Sequence, residues 1–383
     1  MTRHPLRRAS AEVIVGAADF AQRVIEPDDF IADTEAFVDV RLPGSAGKAS
    51  YSFVGPGVSQ NADQVVNLRV PHGFNVGAAS MGPGVVNSPH LHFTAEVFIC
   101  TRGHWRVAIG EQGEQTLDIA AGTVFSIPTW VFRGFQNIGD DDGWLFTILG
   151  GDDTGGVIWA PHVLRSAAET GLYLRSDHSL VDTSAGASLN DVIQPLEPRQ
   201  LAGVDLYSDE ELAACAVAHD DLVWSDRALL STVVDGHESA LAPVIGPGMT
   251  EDRSRRAPIT TPHGFSVEWL RIPPGSSTGL HRHDLSQVLL ATDGSLEITV
   301  NRGSNQLRSV PAQGSVISIM SGAWRNFSNV GDTEVRTLVV CGTDGRPAIE
   351  WDANIVTAAL DAGWSRDAGG YIAPVDLVGR SRS

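Results

Sequence analysis

Cysteine is scarce in this chain and positive charge is outnumbered. Of 383 residues only three are cysteine, Cys100, Cys215 and Cys341, and no two are close in sequence. That fits a reducing compartment and argues against a disulfide scaffold or a zinc knuckle. Lys and Arg together number 27 against 46 Asp and Glu, a formal net charge of −19. The basic patches are short, Arg7-Arg8 and Arg253-Ser254-Arg255-Arg256, so a polyanionic nucleic acid is a poor partner. No run approaches the ~20 apolar residues of a membrane span. The basic stretch Met1–Ser10 is not followed by the apolar core of a signal peptide. Together these absences predict a cytoplasmic protein whose partner is a small molecule, with neither nucleic acid nor membrane involved.

Glycine and proline, by contrast, are plentiful. The 40 glycines and 20 prolines punctuate short apolar runs, the signature of many strands joined by turns. Trp105, Val107 and Ile109 alternate with Arg106 and Ala108, and Leu296, Ile298 and Val300 repeat the pattern. A period of two is that of a half-buried strand.

The chain also repeats itself. Pro71-His-Gly-Phe-Asn-Val76 recurs as Pro262-His-Gly-Phe-Ser-Val267, and His90-Leu-His92 as His281-Arg-His283, at an offset of 191. Beyond Gly110 the offset is 192, which pairs Gly122 with Gly314, Arg133 with Arg325, Asn137 with Asn329 and Trp159 with Trp351. A fixed offset over so many positions means a duplicated domain. The expected layout is an N-terminal extension over 1–50, a first copy over 51–165, a linker with short helices over 166–241, a second copy over 242–357 and a tail over 358–383. Short helices are expected at Ala18–Phe37, at Val356–Gly363, and after Ser208-Asp-Glu-Glu211, which reads as a capping box.

Both copies carry two motifs at matching spacing. The first copy has Gly84, His90, His92, Glu96 and Gly103, then Gly122, Pro128, Arg133 and Asn137; the second has Gly275, His281, His283, Gln287 and Gly294, then Gly314, Arg325 and Asn329. These resemble the two cupin motifs. The resemblance implies an all-β protein of two tandem jelly-roll barrels with flanking short helices, and a metal in the barrel interior. Residues 90, 92 and 96 differ by even numbers, so on one uninterrupted strand they would share a face. Two imidazoles and a carboxylate suit a first-row divalent metal with open positions, here Fe(II), with Mn, Ni or Zn as alternatives.

Cupins usually complete the ligand set with a histidine where both copies have arginine, and a guanidinium cannot ligate. Three readings of Arg133 stand open. It could bind a substrate carboxylate beside a metal held by His90, His92 and Glu96. It could form an ion pair with Glu96 that fills a dead site. Or it could point outward while another residue, such as His104, completes the set. A second site formed by His281, His283, Gln287 and Arg325 lacks the carboxylate and is expected to be weaker. Phe98, Cys100, Trp130 and Phe132 are candidates for the pocket wall. His72 and His263 read as turn-stabilising residues, and the acidic loops Asp140–Asp142 and Asp152-Asp153 as solvated.

The two-barrel layout and Ile127-Pro-Thr-Trp-Val-Phe132 resemble the gentisate and 1-hydroxy-2-naphthoate dioxygenases, which implies an iron(II) dioxygenase acting on a small anionic or aromatic substrate. Two alternatives accompany that expectation: a degenerate bicupin that binds a small molecule or serves as a scaffold without redox chemistry, and a metal-dependent lyase or isomerase. Exposed barrel edges predict a homo-oligomer.

Overall fold

The computed structural model describes residues 11–202, 204 and 207–378. The chain divides into two compact units, one formed by 30–221 and the other by 1–29 with 222–383.

In the unit 30–221 the short, turn-punctuated strands form two sheets. One runs Ala216–Val217, Val124–Ile127, Glu96–Arg102, Gly143–Gly150, Phe74–Met81, Ala49–Val54 and Val66–Leu68. The other runs Val157–Trp159, Val86–His92, Arg133–Asn137, His104–Ile109 and Gln115–Ala120. The apolar half of each alternating strand turns inward. Phe98, Cys100, Trp105, Val107, Phe125 and Leu145 fill one end of the barrel, while Leu91, Phe132, Val157 and Trp159 pack with Val163 of the helix Pro161–Glu169. The motif glycine Gly103 has φ +95°, and a Cβ there would lie 2.9 Å from Gly143 Cα. The turn into the next strand therefore needs glycine for both backbone angle and space.

The second unit repeats the plan. Its sheets run Val24–Ile25, Val316–Ile319, Gln287–Asp293, Val335–Cys341, Ser266–Ile272 and Ala240–Ile245, and Leu307–Ser309, Leu296–Val300, Arg325–Asn329, His281–Arg282 and Glu350–Trp351. The helix Ala353–Asp361 and the hairpin Trp364–Arg366/Ile372–Pro374 match Pro161–Glu169 and Leu172–Leu174/Leu180–Asp182 at the same offset of 192. The all-β, two-barrel expectation therefore holds.

The duplication reaches further than 51–165 and 242–357. The helix Ala17–Gln22, strand Val24–Ile25 and 3-10 turn Pro27–Asp29 match Asp209–Ala213, Ala216–Val217 and His219–Asp221. In each unit the two-residue strand closes an edge, Val24 opposite Ile317 in one and Ala216 opposite Phe125 in the other. The first copy's arm thus belongs to the second copy's barrel, and the second copy's arm to the first. The helix expected over Ala18–Phe37 ends at Gln22, because the β-branched pair that follows is taken up as an edge strand and Pro27 begins a separate turn. The Ser208–Glu211 capping box forms as read, although its helix spans only Asp209–Ala213. Among the described residues, no helix is long and apolar enough to cross a membrane.

Candidate metal and substrate site

His90 and His92 end the strand Val86–His92, whereas Glu96 begins the next strand, Glu96–Arg102, which lies in the other sheet. The shared-face argument from even spacing is therefore corrected. The turn Phe93–Ala95 carries the chain between sheets, and the three groups meet across the barrel interior. Their potential ligand atoms all lie within 4.8 Å of one another, and all three residues are buried.

The backbone prepares both imidazoles. His90 Nδ1 faces the Ser88 carbonyl at 2.8 Å and His92 Nδ1 faces the Gly156 carbonyl at 3.3 Å. A carbonyl can only accept, so each Nδ1 carries the proton and each Nε2 keeps its lone pair, the arrangement usual for a metal-ligating histidine. Burial, reinforced by the Arg133 charge, lowers His90 to a pKa of about 3 and holds His92 well below its ordinary value. Both are neutral, the form that can ligate.

Arg133 lies opposite His90 in the neighbouring strand and is 0% exposed. Its Nε donates to Glu96 Oε2 at 2.9 Å and its Nη1 to the Val131 carbonyl at 3.0 Å; His92 Nε2 is 3.6 Å from the same carboxylate oxygen. Burial raises the Glu96 pKa, and Arg133 pulls against that rise. The outward-pointing reading of Arg133 is excluded, and His104 is exposed at the start of its strand.

The cavity beside the cluster, about 70 Å³, is lined by His90, His92, Glu96, Phe135, Leu149 and Trp159 among others. Arg133 does not line it, nor do Phe98, Cys100, Trp130 or Phe132, so the expected wall is corrected. Phe98 and Cys100 point into the packed end of the barrel, and Phe132 packs with Val163 of the helix Pro161–Glu169. Trp130 is 43% exposed, edge-on to Phe93. Much of the remaining wall comes instead from Ala49–Val54, Phe74–Met81 and Gly143–Gly150, strands of the larger sheet that carry no motif.

One wall residue escaped the motif reading. Lys48 is 5% exposed and lines the same cavity. Its Nζ donates to Asp39 Oδ1 and, at 2.9 Å, to Asn87 Oδ1. Asn87 in turn sits 3.3 Å from His90 Nδ1. A signal was present in the sequence: Lys48 is the only lysine in the chain, beside 26 arginines.

The second barrel assembles its four positions differently. His281, His283, Gln287 and Arg325 are all fully buried. Arg325 Nη1 lies 3.2 Å from both His283 Nε2 and Gln287 Oε1, while Nη2 donates to the Met320 carbonyl at 2.9 Å. The guanidinium engages the donor atoms that a metal would use.

The repeated turn histidines behave alike. His72 and His263 face the Val70 and Thr261 carbonyls, and their backbone N–H groups donate to Asp152 and Asp344. Asp152 is exposed, as expected of that loop, and also anchors the turn.

Residues 268–341 match the family profile described as Cupin domain. The chain is similar in structure to an oxalate decarboxylase–formate complex from Lactobacillus farciminis, at 15% identity and TM-score 0.54 over 94% of both chains. It is also similar to Bacillus subtilis oxalate decarboxylase at pH 4.6, at 14% identity and TM-score 0.51, over 88% of this chain and 82% of that one. No curated protein matches. Taken with the two barrels, these findings define the fold as that of a bicupin.

Proposed function

We propose that the first barrel holds one divalent metal ion on His90, His92 and Glu96 and acts on a small carboxylate, while the second barrel works without metal. The observation that carries this reading is the convergence of two neutral imidazoles, each with its Nε2 lone pair free, and one carboxylate on a cavity. A bound divalent ion would supply Lewis acidity and open positions for a substrate oxygen. Arg133 cancels the charge of Glu96, so the ion would keep its full double charge in the site. An anion is the natural partner for that charge. Arg133 here acts through Glu96, holding the carboxylate in place, rather than on the substrate.

Size argues about the substrate. A cavity of about 70 Å³ is roughly half the ~150 Å³ that accommodates benzene. An acid of two or three carbons suits it better than an aromatic ring. The likeness to structures of oxalate decarboxylases points the same way, towards carbon–carbon cleavage of a small acid by a lyase. The competing reading, an iron(II) dioxygenase of the gentisate type, draws on the two-histidine, one-carboxylate set but needs more room.

Metal analysis of wild type and His90→Ala, followed by incubation with small carboxylates under oxygen monitoring, tests the proposal. We expect one metal per wild-type chain, none in the variant, and carbon dioxide release without stoichiometric oxygen uptake. Equal metal in both proteins would replace this reading with a metal-free ligand-binding bicupin, and stoichiometric oxygen uptake would favour the dioxygenase.

A further inference from the structure

We propose that Lys48 is the substrate-recognition residue of the first barrel, its ammonium docking the carboxylate of a small mono- or dicarboxylic acid beside the His90–His92–Glu96 cluster. This deepens the reading of that barrel as a site for a small carboxylate and rests on it. Three observations carry it.

The first is position. Lys48 shares the cavity wall with the three candidate ligands, and two residues touch both it and His90. Asn87 accepts from Lys48 and lies against His90 Nδ1. The Trp159 ring lies 5.9 Å from Lys48 Nζ and 5.2 Å from the His90 ring.

The second is chemistry. A lysine this deeply buried costs more to keep charged than it returns unless it is paired. Asp39, itself fully buried, supplies the pairing and is held by the Ser88 backbone N–H and the Ser45 hydroxyl. An ammonium has three donors. Asp39 and Asn87 take two, which leaves one for the cavity. The Phe37 ring, 5.3 Å away, and Trp159 flank the ammonium and keep bulk water from it.

The third is contrast. At every other basic position this chain uses arginine, and arginine would stabilise a buried pair with Asp39 at least as well through its planar fork. The one lysine stands where a compact point charge must share a small cavity with a ligand. At the offset of 191 the second barrel has Ser239 for Lys48, Leu230 for Asp39 and Thr278 for Asn87. The barrel whose arginine closes on its own ligand positions has none of this apparatus.

The solitary lysine permits a direct test. Titration calorimetry of full-length wild type and Lys48→Met with oxalate and malonate, alongside metal content and thermal midpoint, is expected to show at least a tenfold loss of carboxylate affinity in the variant with its metal content unchanged. In wild type, reductive methylation followed by peptide mass analysis reads Lys48 against the amino terminus. Oxalate should slow modification of Lys48 severalfold and leave the terminus unaffected, a readout that stands even if Lys48→Met fails to fold. Unchanged affinity in Lys48→Met, or a Lys48 that neither acid protects, overturns the proposal whatever the metal content. A lower melting temperature with unchanged affinity would assign Lys48 a structural role only. Protection of Lys48 in protein that takes up no metal would uphold the anchor while removing the metal reading.

Discussion

A carboxyl group with one backbone donor and no cation beside it is expensive to ionise, and Glu268 in the second barrel is in that position. It is 1% exposed; its Oε1 accepts from Met249 N–H at 2.8 Å, and Oε2 has no partner among the described residues. Burial pushes its pKa up to about 8 from an ordinary 4.5. The folded state therefore binds this proton more tightly than the unfolded chain does. Below about pH 4.5 both states are protonated and the site carries no penalty. Between pH 4.5 and 8 the unfolded chain releases the proton first, so stability falls as pH rises. Denaturant titrations from pH 5 to 8.5 should show this decline in wild type, with Glu268→Gln losing distinctly less over the same range. A variant that tracks wild type would mean that Glu268 is ionised throughout. Glu96, equally buried, differs because Arg133 stands against it. The sequence showed both glutamates and both motif arginines. It could not show that Arg133 and Arg325 turn inward, since that depends on which strand faces which. Nor did the motifs reveal Lys48, which lies ahead of them and matches a serine, Ser239, in the second copy.

At the scale of elements, most of the motif spacing was legible and the sheet crossing was not. Even spacing identifies a face only while the strand continues, and three residues of turn between His92 and Glu96 sufficed to move the carboxylate to the opposite sheet. The arms were missed for a related reason. Two-residue strands carry no periodicity, so their character appears only through the edge that they cover. The arm on the second barrel is pinned by Asn301, whose side chain accepts from Val15 N–H at 2.8 Å and donates to the Val15 carbonyl at 2.9 Å. Asn301 also adopts φ +66°, a backbone angle that asparagine tolerates far better than alanine. Asn301→Ala should thus strand two buried backbone groups and strain the turn, at a cost of about 2–3 kcal/mol. Chemical denaturation would measure the loss. A cost under about 0.5 kcal/mol, the range of ordinary surface substitutions, would show that the arm does not depend on this clasp.

For the whole molecule, duplication has produced two barrels with one plan and different interiors. The first keeps a carboxylate among its donors, and the arginine at the fourth position is tied to it through Nε. In the second, glutamine replaces that carboxylate, and Arg325 turns its Nη1 onto both His283 and Gln287. A cation is thus already present where a metal would sit. Burial lowers the Arg325 pKa only to about 10, so it stays charged at neutral pH and repels a second positive ion at short range. At the four motif positions the barrels differ in one side chain, Glu96 against Gln287, and in how the shared arginine is engaged, and both can be altered. Gln287→Glu with Arg325→His would remove the internal cation, restore an anionic ligand and present four donors in the positions that the motif spacing specifies. The double variant should bind a second equivalent of manganese or zinc per chain, counted by elemental analysis after dialysis. Gln287→Glu alone recreates the first barrel's arrangement of two histidines and an arginine-paired carboxylate, so it should also gain metal, though less tightly than the double variant, which has a fourth ligand and no internal cation. A second equivalent in unmodified protein, or none in the double variant, would show that something other than these two positions keeps metal out of the second barrel.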